Sequence, residues 1–184
     1  MCKTKIKSVS QNTFTLHGLW PSLSSGAMLQ DCNTGADIKI QEDSSSLFSE
    51  MDLKWLSYTT DNIHFWTHEF NKHGYCYTHK YNYSDYKVFF RYALDLFEKY
   101  SLEGLMRKAL GDLHGEHAFS LVDLTTHLQQ AAGGLDFDLD CVSKDGVQLL
   151  AEIRFVFDLT LAPYAGYPRK TDCKSGMPIT VIFQ

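Results

Sequence analysis

The stretch FWTHEFNKHGYC, residues 65–76, places four polar side chains within six positions. In an α-helix, His68 and Lys72 stack along the surface because they are four residues apart. Glu69 and His73 have the same spacing and form an adjacent row, so all four polar groups can converge on one small ligand. Two histidines, a carboxylate and an ammonium group suffice for metal-free acid–base chemistry on an anion.

A second segment is expected to complete the site, because one segment rarely holds a whole active centre. The best candidate is FTLHGLWP, residues 14–21, which is centred on His17. Residues 12–16 alternate enough to predict a strand that ends at His17. Gly18 then allows the backbone to bend, and Pro21 ends the element.

Composition excludes several classes of protein. The chain has 184 residues, enough for one domain with a real core, and its net charge of -5 argues against binding duplex DNA by neutralising phosphates. No apolar run approaches the ~20 residues that span a bilayer, so no membrane association is expected. The basic start of the chain lacks the apolar stretch of a signal peptide.

Cysteine usage favours an oxidising compartment. The five cysteines are Cys2, Cys32, Cys76, Cys141 and Cys173. They are far apart and form no CxxC pair, which makes a zinc knuckle a poor interpretation. Two disulfides and one odd cysteine fit better, and five free thiols in a cytosolic protein are the alternative. Asn82 begins a glycosylation sequon, which agrees with secretion.

The pattern of apolar residues predicts an α+β fold. Helices are expected from a cap within 44–46 to about 58, from the end of a break over 59–62 to about 74, from a cap at Ser84 to about 100, over 102–110, and from a cap at Ser120 to Gly133-Gly134. Strands are expected over 12–16, 135–142, 147–161 and 178–183. With no repeat, linker or low-complexity tract, residues 1–184 are predicted to form one domain with helices packed on an antiparallel sheet.

The two polar segments suit one reaction especially well. Cleavage of a phosphodiester beside a ribose 2′-hydroxyl needs a base for the 2′ proton and an acid for the leaving 5′ oxygen. Two histidines in opposite protonation states supply both near their ordinary pKa of ~6.5. Lys72 and a further histidine can stabilise the charge that develops on phosphorus. No metal is required, and DNA is excluded because it lacks the hydroxyl.

Other interpretations of the same residues stay open. HEFNKH resembles a zinc helix, but His68 and His73 are five residues apart, about 140° around an ideal helix. His17 can be a buried structural histidine, and the helix can be a solvated face. Asp136, Asp138 and Asp140 share one strand face, which suggests calcium but more simply a solvated face.

The two segments together resemble the active-site segments of the ribonuclease T2 family, which includes plant S-like and self-incompatibility ribonucleases. The family patterns are approximately F-x-I-H-G-L-W-P and F-W-x-H-E-W-x-K-H-G-T-C, and both occur here in the right order. The resemblance extends through nearly the whole chain. It implies a ribonuclease T2-like α+β fold and endoribonuclease activity.

The resemblance also implies roles for individual residues. His73 matches the general base, and His17 matches the general acid that later activates water. His68 matches the phosphate-binding histidine, while Glu69 and Lys72 match the groups that stabilise the pentavalent phosphate. Substrate-binding aromatic residues and two disulfides are implied as well: Trp20, Phe65, Cys32–Cys76 and Cys141–Cys173.

Several departures from the family pattern matter. Phe70 replaces a usual Trp, Tyr75 replaces a usual Thr, and Ser22 stands where many members have an Asp that can contact the base. The family's N-terminal strand and at least one upstream cysteine are missing, so the chain is expected to be an N-terminally truncated form.

The sequence thus predicts a metal-independent endoribonuclease that cleaves single-stranded RNA through a 2′,3′-cyclic phosphate, with low base specificity and no cofactor. A monomer of the secretory pathway is expected. The alternative is a catalytically impaired relative that keeps the fold and binds RNA or a protein.

Overall fold

The structure, a computed structural model, describes residues 14–35, 37–80, 85–164, 166–167 and 170–183. The chain folds as two compact units, Met1–Lys99 and Tyr100–Gln184. A single domain over the whole chain stays a prediction. Cys2, Asn82 and the helix cap at Ser84 lie outside the described residues.

The first unit is helical in its described part. Its elements are α1 (Ser46–Lys54), α2 (Asn62–Glu69), a π-helix (Phe70–Gly74), α3 (Tyr75–Lys80) and α4 (Tyr86–Lys99). Asp61 begins α2 because its carboxylate accepts the backbone N–H of His64, which otherwise has no partner at a helix start. This cap fixes where the polar stretch of the sequence enters the helix.

An aromatic core holds these helices together. Phe89, Phe90 and Leu94 form the buried face of α4, at the spacing that the sequence predicted. Trp66 and Phe70, on either side of the α2 boundary, are fully buried in the same cluster. Each such side chain contributes about 1.5–3 kcal/mol by leaving water. Phe70 therefore fills the core, and its ring centroid lies 5.7 Å from that of Phe89.

The polar stretch does not continue as an ideal α-helix. From Phe70 the backbone widens into a π-helix, in which the N–H of Tyr75 donates to the carbonyl of Phe70, five residues earlier. Residues five apart consequently lie nearer to one face than the ideal 140° separation allows. The argument against a zinc helix assumed the spacing of an ideal α-helix, and this spacing does not apply between His68 and His73.

The segment before His17 is not the strand that the sequence predicted. Residues 12 and 13 lie outside the described part, and Phe14 to Leu16 have no strand partner there. Instead, the N–H of Leu16 donates to the carbonyl of Lys54 at 2.7 Å. The final carbonyls of a helix lack internal partners, so the end of α1 provides a docking point for this segment.

The second unit combines two helices with a mixed sheet. Its elements are α5 (Leu102–Leu110), β1 (Gly115–Phe119), α6 (Leu121–Ala132), β2 (Phe137–Lys144), β3 (Val147–Phe155) and β4 (Ile179–Phe183). Among the described strands the order is β1-β4-β3-β2. The β1–β4 and β2–β3 pairs are antiparallel, whereas β3 and β4 are parallel, so the sheet is mixed. The α+β class is confirmed.

Local signals placed most of these elements correctly. Ser120 caps α6 through the N–H of Asp123, and Gly133 ends it in the left-handed conformation. Asp145 and Gly146 turn the chain between β2 and β3 with positive φ angles of 51° and 81°. Strand β1 was not predicted, because five residues with two charged or polar side chains give little periodic signal.

The carboxylates of the strand that precedes the turn are not a solvated face. Asp136 and Asp138 are buried, and they accept the backbone N–H groups of Gly166 and Lys170 at 2.8 and 2.6 Å. Asp140 forms an ion pair with Arg154. The sequence interpretation was wrong here, because alternation reveals a strand but not which loop covers its polar side.

Candidate active site

The helix junction determines how deeply each predicted catalytic side chain is buried. His68, in the last turn of α2, is exposed, whereas the adjacent Glu69 is only 3% exposed. Lys72 is half-buried and His73 is 4% exposed, both within the π-helix. The junction therefore presents an exposed imidazole and a half-buried ammonium beside a buried carboxylate and a buried imidazole.

His17 is held through its backbone. The indole N–H of Trp55 donates to the carbonyl of His17 at 2.7 Å, and the indole N–H of Trp66 donates to the carbonyl of Trp55 at 2.8 Å. Trp55 and Trp66 are fully buried, so this chain of hydrogen bonds links His17 to the core of α2. The sequence indicated Trp55 only as part of an apolar helix face, and its bond to His17 was not predicted.

Aromatic contacts bring the two segments together. The ring of Trp20 lies 4.7 Å from the ring of His17 and 5.4 Å from the ring of His73, measured between centroids. Phe65 lies 6.0 Å from His17. Trp20 thus contacts both histidines that the sequence assigned to acid and base, and Phe65 lies near the first of them.

The carboxylate of Glu69 is stabilised by one neutral donor and several cations. The indole N–H of Trp20 donates to Glu69 Oε2 at 2.7 Å. Burial raises the pKa of Glu69, while this hydrogen bond and the charges of His17, His68 and Lys72 oppose the rise. Burial is the largest of these effects, so the carboxylate depends on its polar neighbours to remain ionised.

The pKa of His73 is shifted in the opposite direction to that of Glu69. Burial, together with the nearby ammonium of Lys72, lowers the pKa of His73 to about 4. A hydrogen bond with the carbonyl of Leu29 works against this shift. The imidazole is consequently neutral above about pH 4 and able to accept a proton.

The loop that follows Pro21 is tied to this helix at several points. The N–H of Asp31 donates to the carbonyl of Lys72 at 2.8 Å. The disulfide Cys32–Cys76, predicted from the family resemblance, is present and closes a separation of 44 residues. In the chain-entropy model such a cross-link contributes about 4 kcal/mol. The second predicted disulfide, Cys141–Cys173, is present in the other unit.

Further hydrogen bonds between this helix and a loop come from a residue outside the predicted site. Asn71 is buried and accepts the N–H of Ile38 through Oδ1 at 2.8 Å. Its amide nitrogen donates to the carbonyls of Ile38 and Thr67, also at 2.8 Å each. The π-helix thereby holds a second loop segment through a side chain that lies between Phe70 and Lys72 in the motif.

Within the part of the chain that the structure describes, no group of three or more His, Cys, Asp or Glu side chains could hold a metal ion. The metal-free character of the reaction stays a prediction from sequence. None of the described helices is both long and apolar enough to cross a bilayer.

Two histidines and a carboxylate thus lie against one tryptophan, with a lysine whose charge acts on the carboxylate, and these are groups that acid–base cleavage of a phosphodiester can use. The model of the ribonuclease T2 family matches residues 1–173. The chain belongs to the ribonuclease T2 family and is therefore of the endoribonuclease type.

Curated relatives agree with this assignment. Ribonuclease DdI of Dictyostelium discoideum is 26% identical over 158 residues, covering 80% of this chain and 70% of the relative. Ribonuclease S-7 of Nicotiana alata is 29% identical over 170 residues, covering 89% and 74%. Ribonuclease MC of Momordica charantia is 36% identical over 96 residues, covering 52% of this chain and 48% of that protein.

Solved structures share the fold. The self-incompatibility SF11-RNase of Nicotiana alata has a TM-score of 0.78 at 19% identity, covering 98% of this chain and 90% of that one. A variant of RNase MC1 in complex with 5′-UMP has a TM-score of 0.72 at 27% identity, covering 93% and 83%. The first likeness supports the fold alone, and the second shows that a related protein holds a nucleotide.

Proposed function

We propose that this protein cleaves single-stranded RNA without a metal, by transesterification to a 2′,3′-cyclic phosphate followed by hydrolysis. The observation that carries the proposal is the buried His73, whose pKa is lowered to about 4 and whose ring, like that of His17, lies against the ring of Trp20. A neutral imidazole and a second histidine that contact the same side chain suit a base and an acid acting on one phosphate.

In the first step, His73 accepts the proton of the ribose 2′-hydroxyl, and the 2′ oxygen forms a bond to phosphorus. The bond from phosphorus to the 5′ oxygen breaks, and the leaving oxygen takes a proton from the imidazolium of His17. In the second step the roles reverse: His17 accepts a proton from water, and the water oxygen forms a bond to phosphorus. The bond from phosphorus to the 2′ oxygen breaks, and His73 returns its proton to that oxygen. The product is a 3′-phosphate.

Two further side chains stabilise the charge on the phosphate oxygens, and Glu69 acts together with them. His68 and Lys72 are cationic or hydrogen-bond donors at the accessible side of the helix junction. Glu69 lies beside both, and their charges help to keep it ionised. Groups fixed in advance around a developing charge usually supply the largest single contribution to such catalysis.

Low base specificity follows from the kind of surface offered to the bases. Trp20 and Phe65 are half-buried and present aromatic rings beside His17. Stacking on such rings is tolerant of sequence because every base has a π-face.

Two disulfides in the chain suit an oxidising compartment, and we place the protein in the secretory pathway as a monomer.

The proposal is tested with two oligonucleotides in the presence of EDTA, one all-ribo and one with a single 2′-deoxy substitution at the scissile position. We expect cleavage of the first alone, with a transient cyclic phosphate detected by mass. His17→Ala and His73→Ala should each reduce cleavage by about 10²–10⁴-fold. His127→Ala, an exposed histidine on α6, is the matched control and should retain activity.

Two outcomes would contradict the proposal. Equal cleavage of the 2′-deoxy substrate would exclude attack by the 2′-hydroxyl. Loss of activity in EDTA with recovery on adding zinc would replace the metal-free mechanism with a metal-dependent one.

A further inference from the structure

The ring of Trp20 is already engaged by the protein before any substrate is considered. Its N–H donates to Glu69 Oε2 at 2.7 Å, and its ring contacts His17 in an edge-on geometry with an interplanar angle of 77°. Its ring also tilts against His73 at 41°. One side chain therefore touches three of the predicted catalytic groups, which a simple stacking platform for a base does not need.

The hydrogen bond to Glu69 matters because of where that carboxylate lies. Glu69 is 3% exposed, and within the described residues Trp20 is the only hydrogen-bond donor to it. A buried carboxylate without a donor bears the full cost of desolvation. The indole is a donor only and cannot take the proton of a carboxylic acid group. It therefore fixes Oε2 as the acceptor of this hydrogen bond.

Gly18 shows how closely this pair is packed. A Cβ atom at residue 18 would overlap both Glu69 Oε2 and Trp20 Nε1. Gly18 is not among the glycines with positive φ, so backbone freedom does not explain it. The glycine is needed for space, and the space it leaves is occupied by the two hydrogen-bonded atoms.

We infer that Trp20 is a positioning residue for Glu69: its indole N–H fixes the carboxylate beside the cationic groups of the site, and Gly18 provides the room for this contact. The inference rests on the proposed ribonuclease function. It gives a motif tryptophan a part in the rate of the chemical step, in addition to any contact with a base.

The first test uses Trp20→Phe, which keeps an aromatic ring and removes the N–H. Losing one charge-assisted hydrogen bond should lower kcat about tenfold to a hundredfold and change KM little. In a Glu69→Ala background the same substitution should cause almost no further loss, because its target is gone. A rise in KM with unchanged kcat, additive with Glu69→Ala, would overturn the inference in favour of base stacking alone.

A second variant approaches the contact from the other side. Gly18→Ala should reproduce the fall in kcat, since the new methyl group displaces the same two atoms. Gly104→Ala in α5 is the matched control, because a Cβ there meets only Ser101 at ordinary contact distance. Circular dichroism establishes that each variant is folded. Wild-type kcat in folded Gly18→Ala protein would contradict the inference.

A measurement without RNA separates this inference from the proposed function. The indole N–H resonance of Trp20, assigned by its loss in Trp20→Phe, should lie downfield in a ¹H–¹⁵N spectrum. It should move upfield in Glu69→Gln, where the acceptor is neutral. A resonance whose position is unchanged in Glu69→Gln overturns the inference even if the protein cleaves RNA. A responsive resonance in a protein that cleaves no RNA supports the contact and rejects the ribonuclease proposal.

Discussion

Buried carboxylates occur in both compact units, and they are held in different ways. Glu69 receives one hydrogen bond from an indole and is surrounded by His17, His68 and Lys72. Asp136 and Asp138 instead accept backbone N–H groups of a loop.

The choice of donor separates a functional carboxylate from a structural one. Backbone N–H donors tie Asp138 to the position of a loop, so removing the carboxylate releases that loop. Glu69 is held instead by one side-chain donor and by the charges of residues that the sequence assigned to catalysis. Changes at Glu69 should therefore act on rate, and changes at Asp138 on stability.

The largest effect is expected at Glu69. Glu69→Gln keeps the shape of the side chain and removes its charge, so kcat/KM should fall on the order of a hundredfold or more. Stability should change little, because a buried charge that costs desolvation is also removed. Initial rates and thermal melts measure the two effects. A strongly lowered Tm with unchanged kcat/KM per folded molecule would assign Glu69 a structural role.

Changes at Asp138 should show the reverse, with an effect on stability and not on rate. Asp138→Ala removes the acceptor for the N–H of Lys170 and should lower the free energy of unfolding by about 1–3 kcal/mol. Asp138→Asn retains an oxygen and should cost less. Asp112→Ala, which breaks only a surface ion pair with Arg107, is the control and should stay within about 0.5 kcal/mol. Urea melts compare the three. Equal midpoints for Asp138→Ala and Asp112→Ala would reject the structural role.

A carboxylate nearer the surface should contribute less to the stability of the fold. Glu50 is half-buried and accepts two hydrogen bonds from Arg91, which together lower its pKa to about 2. Because the folded pKa lies below the unfolded value of ~4.3, the stabilisation is present above about pH 4.3 and is lost as pH falls towards about 2. Glu50→Gln should cost about 1 kcal/mol at neutral pH and flatten this dependence.

Glu103→Gln, in an exposed pair with Arg107, is the control for Glu50→Gln. Its unfolding free energy should follow that of the wild type across the same acidic range to within about 0.5 kcal/mol. If Glu50→Gln shows the same pH dependence as the wild type, the Arg91 pair does not stabilise the fold.

The smallest effect is a displacement of a pH profile. Lys72 lowers the pKa of His73, and His73 must be neutral to act as a base. The acidic limb of kcat/KM should therefore fall near pH 4 in the wild type and move to higher pH in Lys72→Met, whatever the loss of rate. Rates from acidic to neutral pH, each normalised to its plateau, measure this shift. An acidic limb that stays in place would show that Lys72 does not act on His73.

Much of the helical framework follows from local chemistry in the sequence. The bounds of α5 and the Ser120 cap and Gly133 end of α6 agree with prediction, and Asp145 and Gly146 turn the chain between the two strands predicted on either side of them. These features depend on one residue's own backbone preference or on a partner within three or four positions. The two disulfide pairings are confirmed as well, but they came from the family resemblance and not from spacing.

The order of residues was enough to identify the groups available for chemistry. These groups are the two histidines assigned to acid and base, and the carboxylate and lysine that lie in the second motif. Folding added three features that no motif announces. The helix widens at Phe70, Trp55 holds His17, and Gly18 makes room for Trp20 and Glu69. These features depend on contacts between residues far apart in the chain. No local preference encodes them, because burial and hydrogen-bond partners are fixed only when the core packs.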